Sequence, residues 1–99
     1  MIKMSDREKL DTHNIYVDLD HRFVSIRINP RIYRMHVIMR AADELLHDEK
    51  GEIDVIVDGD PESEIIAKFI PKARNLDDEE LRRLAYRFNT KLIACSGKG

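Results

Sequence analysis

Hydrophobic residues alternate with polar ones in two stretches near the start of the chain. Ile15, Val17 and Leu19 interleave with Tyr16 and Asp18, and after "DHR" Val24, Ile26 and Ile28 interleave with Ser25 and Arg27. A period of two is that of a half-buried strand, so the two stretches predict a hairpin. Asn29 and Pro30 then supply a helix cap and a proline suited to a first turn. Met35, Ile38, Met39, Ala42, Leu45 and Leu46 follow at helical spacing, with a stop expected near Gly51. Alternation returns in Ile53, Val55 and Val57, set between Asp54 and Ile56, and again in Ile65, Ala67 and Phe69, which predicts a second hairpin closed by Pro71. Asp77 and Glu80 have capping-box spacing and open a last helix, whose apolar stripe is Leu81, Leu84, Ala85, Phe88, Leu92 and Cys95. The order is ββαββα. Two amphipathic helices and four half-apolar strands are satisfied most simply by an α+β fold: one four-stranded, largely antiparallel sheet with both helices packed on one face.

Length and composition narrow the class of protein. A chain of 99 residues is one ordinary domain, with residues 1–12 and 97–99 expected to fray. Hydrophobic residues at 42% and charged residues at 36% describe a globular chain, and a net charge of -2 gives no general attraction to nucleic acid or anionic membrane. Cys95 is the only cysteine and has no internal disulfide partner, and "MIKMSDREKL" holds no apolar run of the signal-peptide kind, so a cytoplasmic protein with no membrane partner is expected. Dense charges of both signs, abundant isoleucine and the absence of glutamine and tryptophan lean toward a thermophile, archaeal or bacterial.

The stretch "VIVDGDPESE" comes nearest to a metal site. Asp58, Asp60, Glu62 and Glu64 alternate as the oxygen ligands of a calcium loop do, and hard cations take several carboxylates at close quarters. The calcium-loop pattern nevertheless fails at its decisive places. Counting from Asp58, the sixth position is Ser63 where the sharp turn needs glycine, and the twelfth is Phe69 where a bidentate glutamate belongs. Asp58-Gly59 is also a strong turn dipeptide and Pro61 fixes a bend, so a plain hairpin turn accounts for more of these residues. No resident cofactor is expected, and calcium or magnesium is expected to bind there weakly at best.

Other chemistry-bearing residues find no companions in the sequence. His36 and His47 share the polar face of the first helix with Arg40 and Asp43, at a spacing too wide for a zinc pair, and His13 and His21 flank the first strand in loops. Cys95 lies on an apolar stripe with no base marked out for it, and "SGKG" at the end has neither the upstream glycine nor the flanking strand and helix of a phosphate loop. Arg83, Arg87 and Lys91 climb the last helix at four-residue intervals behind Glu79, with Arg82 beside them. Such a stripe suits phosphates, but glutamate ahead of arginine at that spacing also stabilises an exposed helix. The strands are expected to hold no aromatic platform of the kind single-stranded nucleic acid stacks on, so nucleic-acid binding through Arg83, Arg87 and Lys91 ranks last.

From about Phe23 to Ile93 the chain resembles the small D-type proteins of the His-Xaa-Ser repeat systems, which are encoded beside radical SAM maturation proteins. The similar segments are "INPRIY" leading from strand to helix, "MRAADEL" within that helix, "FIPK" closing a hairpin, and "RFNTKLI" in a final helix with an acidic start. "RFNTKLI" departs from the Asn-acidic ending of that family, and the first strand is an addition. The resemblance implies a small accessory protein acting through larger partners, and it brings no catalytic residue.

The residues themselves lead to the same ranking: no enzyme, a non-enzymatic accessory or interaction domain first, a divalent-cation-binding domain second, a nucleic-acid binder third. The pleat names the surface. If Ile53, Val55, Val57, Ile65, Ala67 and Phe69 face the helices, Ile56, Ile66 and Ile70 face away between Asp54 and Lys68, which is the look of a surface for a protein partner or a homodimer, unless the N-terminal residues fold over it.

Overall fold

The computed structural model describes residues 14–20, 22–73 and 75–97. The expected fraying of residues 1–12, any cover they give the sheet, His13, His21 and the last two residues of the chain lie outside that range. Six elements run in the order β1 (Ile15–Asp18), β2 (Phe23–Ile28), α1 (Met35–Asp48), β3 (Ile53–Asp60), β4 (Glu64–Pro71) and α2 (Asp78–Gly97). The strands form one sheet in the spatial order β1-β2-β4-β3, with every neighbouring pair antiparallel. The fold is therefore the expected α+β arrangement, and the second hairpin has inserted its returning strand next to the first.

Alternation sorts the two faces of the sheet. Val24, Ile26 and Ile28 on β2 and Ile65, Ala67 and Phe69 on β4 are buried, as are Val37, Ile38, Ala41, Ala42 and Leu45 on α1. The α2 stripe of Leu81, Leu84, Ala85, Phe88, Leu92 and Cys95 completes this core. The rings of Phe69 and Phe88 meet at its centre, 4.9 Å apart. The N-terminus of α2 closes as a reciprocal capping box: Asp77 Oδ1 accepts from Glu80 N–H at 2.8 Å, and Glu80 Oε1 accepts from Asp77 N–H at 3.0 Å.

Several sequence expectations are corrected. Asn29 and Pro30 do not open α1. They start a separate turn in which Ile32 and Tyr33 N–H donate to the Asn29 carbonyl and Arg31 N–H donates to Asn29 Oδ1, and the extended Arg34 backbone divides that turn from the helix. The buried face of α1 is also rotated from the expected stripe, since Val37 and Ala41 are inside while Met35 and Met39 lie at the rim. Leu19 falls in the turn after β1 and is exposed. Asp58-Gly59 is not the second turn. β3 continues through it to Asp60, and residues 61–63 make the connection, closed by Ser63 N–H donating to the Asp60 carbonyl at 2.9 Å. At the other end, α2 runs on through Gly97, which was expected to fray.

Candidate functional site

The face of the sheet turned away from the helices carries the predicted isoleucines. Register places three rows across it: Asp18, Phe23, Ile70 and Asp54; then Tyr16, Ser25, Lys68 and Ile56; then Arg27, Ile66 and Asp58. Ile56 and Ile66 are 49% and 40% exposed and Ile70 is half-buried. Lys68 stands among all three, two residues from each of its β4 neighbours Ile66 and Ile70 and directly across from Ile56. Its ammonium does not cover them, because it leans the other way, 4.3 Å from the centre of the Phe23 ring. That leaves a contiguous apolar patch with charge of both signs around it.

Two rings join this patch that the sequence reading missed. Tyr16 is exposed, and its ring centre lies 6.1 Å from that of Phe23. The strands thus do hold an aromatic pair, contrary to expectation. The signal was present, since residues in alternation with Ile15 and Val24 must share the opposite face, but Phe23 heads its strand and was left out of the count. The cation on that ring is the chain's own Lys68, and Asp54, Asp58 and Glu64 stand on the same face. A phosphate backbone would meet carboxylates there.

The acidic hairpin is occupied with its own backbone. Asp58 Oδ1 accepts from Gly59 N–H at 2.7 Å, Asp60 Oδ1 accepts from Glu62 N–H at 2.9 Å, and Glu64 faces Arg27 at 3.8 Å. Among the described residues no group of three or more His, Cys, Asp or Glu side chains is placed to hold a metal ion. His36 and His47 are both exposed on α1, where His47 Nδ1 lies 3.1 Å from the Asp43 carbonyl. Cys95 is buried, with its Sγ 3.8 Å from Glu44 Oε2 across the two helices.

Two members of the basic stripe of α2 form ion pairs within the chain. Arg87 pairs with Glu49 and Lys91 Nζ reaches Asp48 Oδ2 at 2.6 Å, so two members of the stripe cross to the end of α1. Carboxylates are unfavourable at a helix C-terminus, where the macrodipole is negative, and cations from the neighbouring helix relieve that. Along α2 itself the pair formed is Asp78 with Arg82, at 2.6 Å, while Arg83 remains exposed.

The Asp48 carboxyl is held below the ordinary carboxylate range, first by its hydrogen bond from Lys91 and then by the charges of Lys91, Arg87 and His47, against an opposing desolvation. Because the folded value is the lower one, the pair's contribution is present above about pH 4, the ordinary aspartate value. It is lost as pH falls through the depressed value. Lys91→Met is expected to return the Asp48 midpoint toward the ordinary range in a carbon-detected carboxyl titration, and an unmoved midpoint would show that Lys91 is not its cause.

A cleft of about 460 Å³ opens between the connection from β2 to α1 and the middle of α2, with Ile28, Ile32, Tyr33, Tyr86, Asn89 and Leu92 among its walls. Its size suits a small ligand. No helix among the described residues is long and apolar enough to cross a membrane. No family model matches the chain, and no curated protein or solved structure is significantly similar to it.

Proposed function

We propose that the chain is a non-enzymatic accessory domain that works by docking proteins, with the outer sheet face as its association surface. The observation that carries this is the cluster of exposed Ile56, Ile66 and Tyr16 with half-buried Ile70 on the side of the sheet opposite both helices. Large apolar side chains gathered in one place and bordered by charge mark association surfaces, whereas scattered ones do not.

The border is self-complementary, which makes a second copy of the chain the occupant. Arg27, Ile66 and Asp58 form one row, with the cation on the β2 side and the carboxylate on the β3 side. A two-fold axis lying in the face and running along β4 stacks the two Ile66 side chains on each other, and likewise the two Ile70 side chains, while the two Lys68 side chains between them lean apart, each toward the Phe23 ring of its own copy. The same axis sets Arg27 of each copy against Asp58 of the other. Isologous pairing of this kind uses one patch twice. The similarity to the D-type proteins of the His-Xaa-Ser repeat systems supports an accessory role of this sort, with larger partners engaged elsewhere on the domain.

Ile66→Lys places two like charges at the centre of that pairing. Sedimentation is expected to show the parent chain as a dimer and the variant as a monomer, with the thermal midpoint moved by only a few degrees because Ile66 is already part-exposed. A large drop in the midpoint would show Ile66 to be core. A parent chain that is monomeric at high concentration would remove the claim that this face pairs with itself.

A further inference from the structure

The edge of the sheet at β3 carries a second surface, separate from the outer face. Among the described residues β3 is paired on one side only. Which of its backbone groups are free follows from the ladder. Lys72 N–H donates to the Glu52 carbonyl at 2.9 Å, so that pair is a hydrogen-bonded one. Bonded and non-bonded pairs alternate in an antiparallel ladder, so Asp54 with Ile70, Ile56 with Lys68 and Asp58 with Ile66 are bonded as well. The N–H and C=O groups of Val55 and Val57 therefore point away from β4. One step further along, the edge is blunted, because the Gly59 N–H is taken by Asp58 Oδ1.

Beside those groups lies an apolar groove. Met39, Ala42 and Leu46 of α1 and the half-buried side chains of Val55 and Val57 enclose about 220 Å³, with Asp43 at the rim. Met39 is 49% exposed although it lies on the side of α1 that flanks the sheet. α1 leaves Val55 and Val57 of this edge strand only half-buried.

A strand laid along β3, about 4.8 Å beyond it, would meet both features at once. Its side chains level with Val55 and Val57 would enter the groove against Met39 and Leu46. The intervening side chains would stand on the outer face next to Asp54. β3 itself has no lysine or arginine, and the groove is lined by one charged residue, Asp43. Exposed edges are ordinarily protected by lysine, so an acidic edge leaves the pairing groups open to a segment of the opposite charge.

We propose that β3 captures an extended segment of a partner protein by strand addition, through the Val55 and Val57 backbone and the Met39–Leu46 groove. The segment accepted has apolar residues alternating with lysine or arginine. Main-chain bonds supply the pairing and the groove and carboxylates supply the selection, as in other strand-addition sites.

The test uses the full chain and a short synthetic peptide of alternating valine and lysine, blocked at both ends. Two controls accompany it. One replaces lysine by glutamate, and the other is methylated on the backbone nitrogens that would face β3. Amide spectra are expected to show saturable shifts at Val55 and Val57, with hydrogen exchange slowed at both. The methylated peptide is expected to bind at least about tenfold more weakly, since it loses the main-chain bonds. The acidic control is expected not to saturate. Equal binding of the methylated peptide would overturn the proposal, because the attraction would then be of charge alone. So would shifts centred on Ile66 and Ile70, or no saturation at millimolar peptide. The Ile66→Lys variant should bind the lysine peptide as the parent does, so loss of self-pairing and loss of strand addition are read separately.

Discussion

Phe88→Ala is expected to cost about 3–5 kcal/mol, most of the stability that a domain of this size has. Phe88 sits at the middle of α2 with no exposed surface, and its ring packs at 53° against the equally buried Phe69 of β4. Truncation removes the contact that holds α2 to the centre of the sheet and leaves a hole that the Leu84, Leu92 and Ala67 side chains are too short to fill. For a domain near a hundred residues the thermal midpoint should fall by about 15 °C or more. Phe88→Leu should be much milder, because it keeps most of the volume. A cycle with Phe69→Leu should return a coupling of about 0.5–1.5 kcal/mol for the ring pair. Urea unfolding measures both, and an alanine variant within about 1 kcal/mol of the parent would mean that the two rings are not the centre of the core.

Phe88 is also a fair measure of what the sequence discloses. It lies on a stripe readable from spacing, because every residue of that stripe is on one helix and helical period is a local property. The Asp77–Glu80 capping box was legible for the same reason: its two bonds close within three residues. Strand order was not. Nothing in the alternation of four strands states that β4 lies between β2 and β3, since that depends on how the second hairpin docks. The same holds for Arg87 with Glu49 and Lys91 with Asp48. Their partners are separated by about forty residues of chain, and only the crossing of α1 and α2 reveals that two members of the basic stripe brace the end of α1.

The outer face falls between these cases. Ile56, Ile66 and Ile70 followed from the pleat alone, whereas their spacing around Lys68 needed the register, and the turn of Lys68 toward Phe23 needed the third strand. At β3 the acidic residues drew attention as possible ligands. The structure gives them two other tasks: Asp58 and Asp60 hold the backbone of the hairpin tip, and Asp54 faces out beside an open edge. The groove under that edge is hidden in the sequence because Met39 falls on the helical stripe that predicts core, whereas it is 49% exposed. Its position depends on how far α1 extends across the sheet, which no single helix pattern encodes.

Gly59→Ala tests the hairpin tip from which that acidic edge extends. Gly59 has φ +123°, a backbone conformation that L side chains rarely adopt, and it is paired across the ladder with Ile65. A Cβ built there would stand 2.3 Å from the Glu64 carbonyl oxygen and 3.0 Å from the Ile65 Cα. Both obstacles are backbone, so no side chain can swing aside. The strand must shift or the turn must open. The conformational strain alone is worth about 1–3 kcal/mol, and the contact adds to it. Gly51, at φ +77° after α1, provides the control, because a Cβ there meets nothing within 4 Å and only the conformational cost remains. Gly59→Ala is therefore expected to lower the urea midpoint more than Gly51→Ala. It should also speed amide exchange at Glu64 and Ile65 while leaving the core of β2 protected, since Val24 and Ile26 are buried against the helices rather than against the tip. Equal losses from the two substitutions would show that the close approach of Glu64 does not constrain the hairpin.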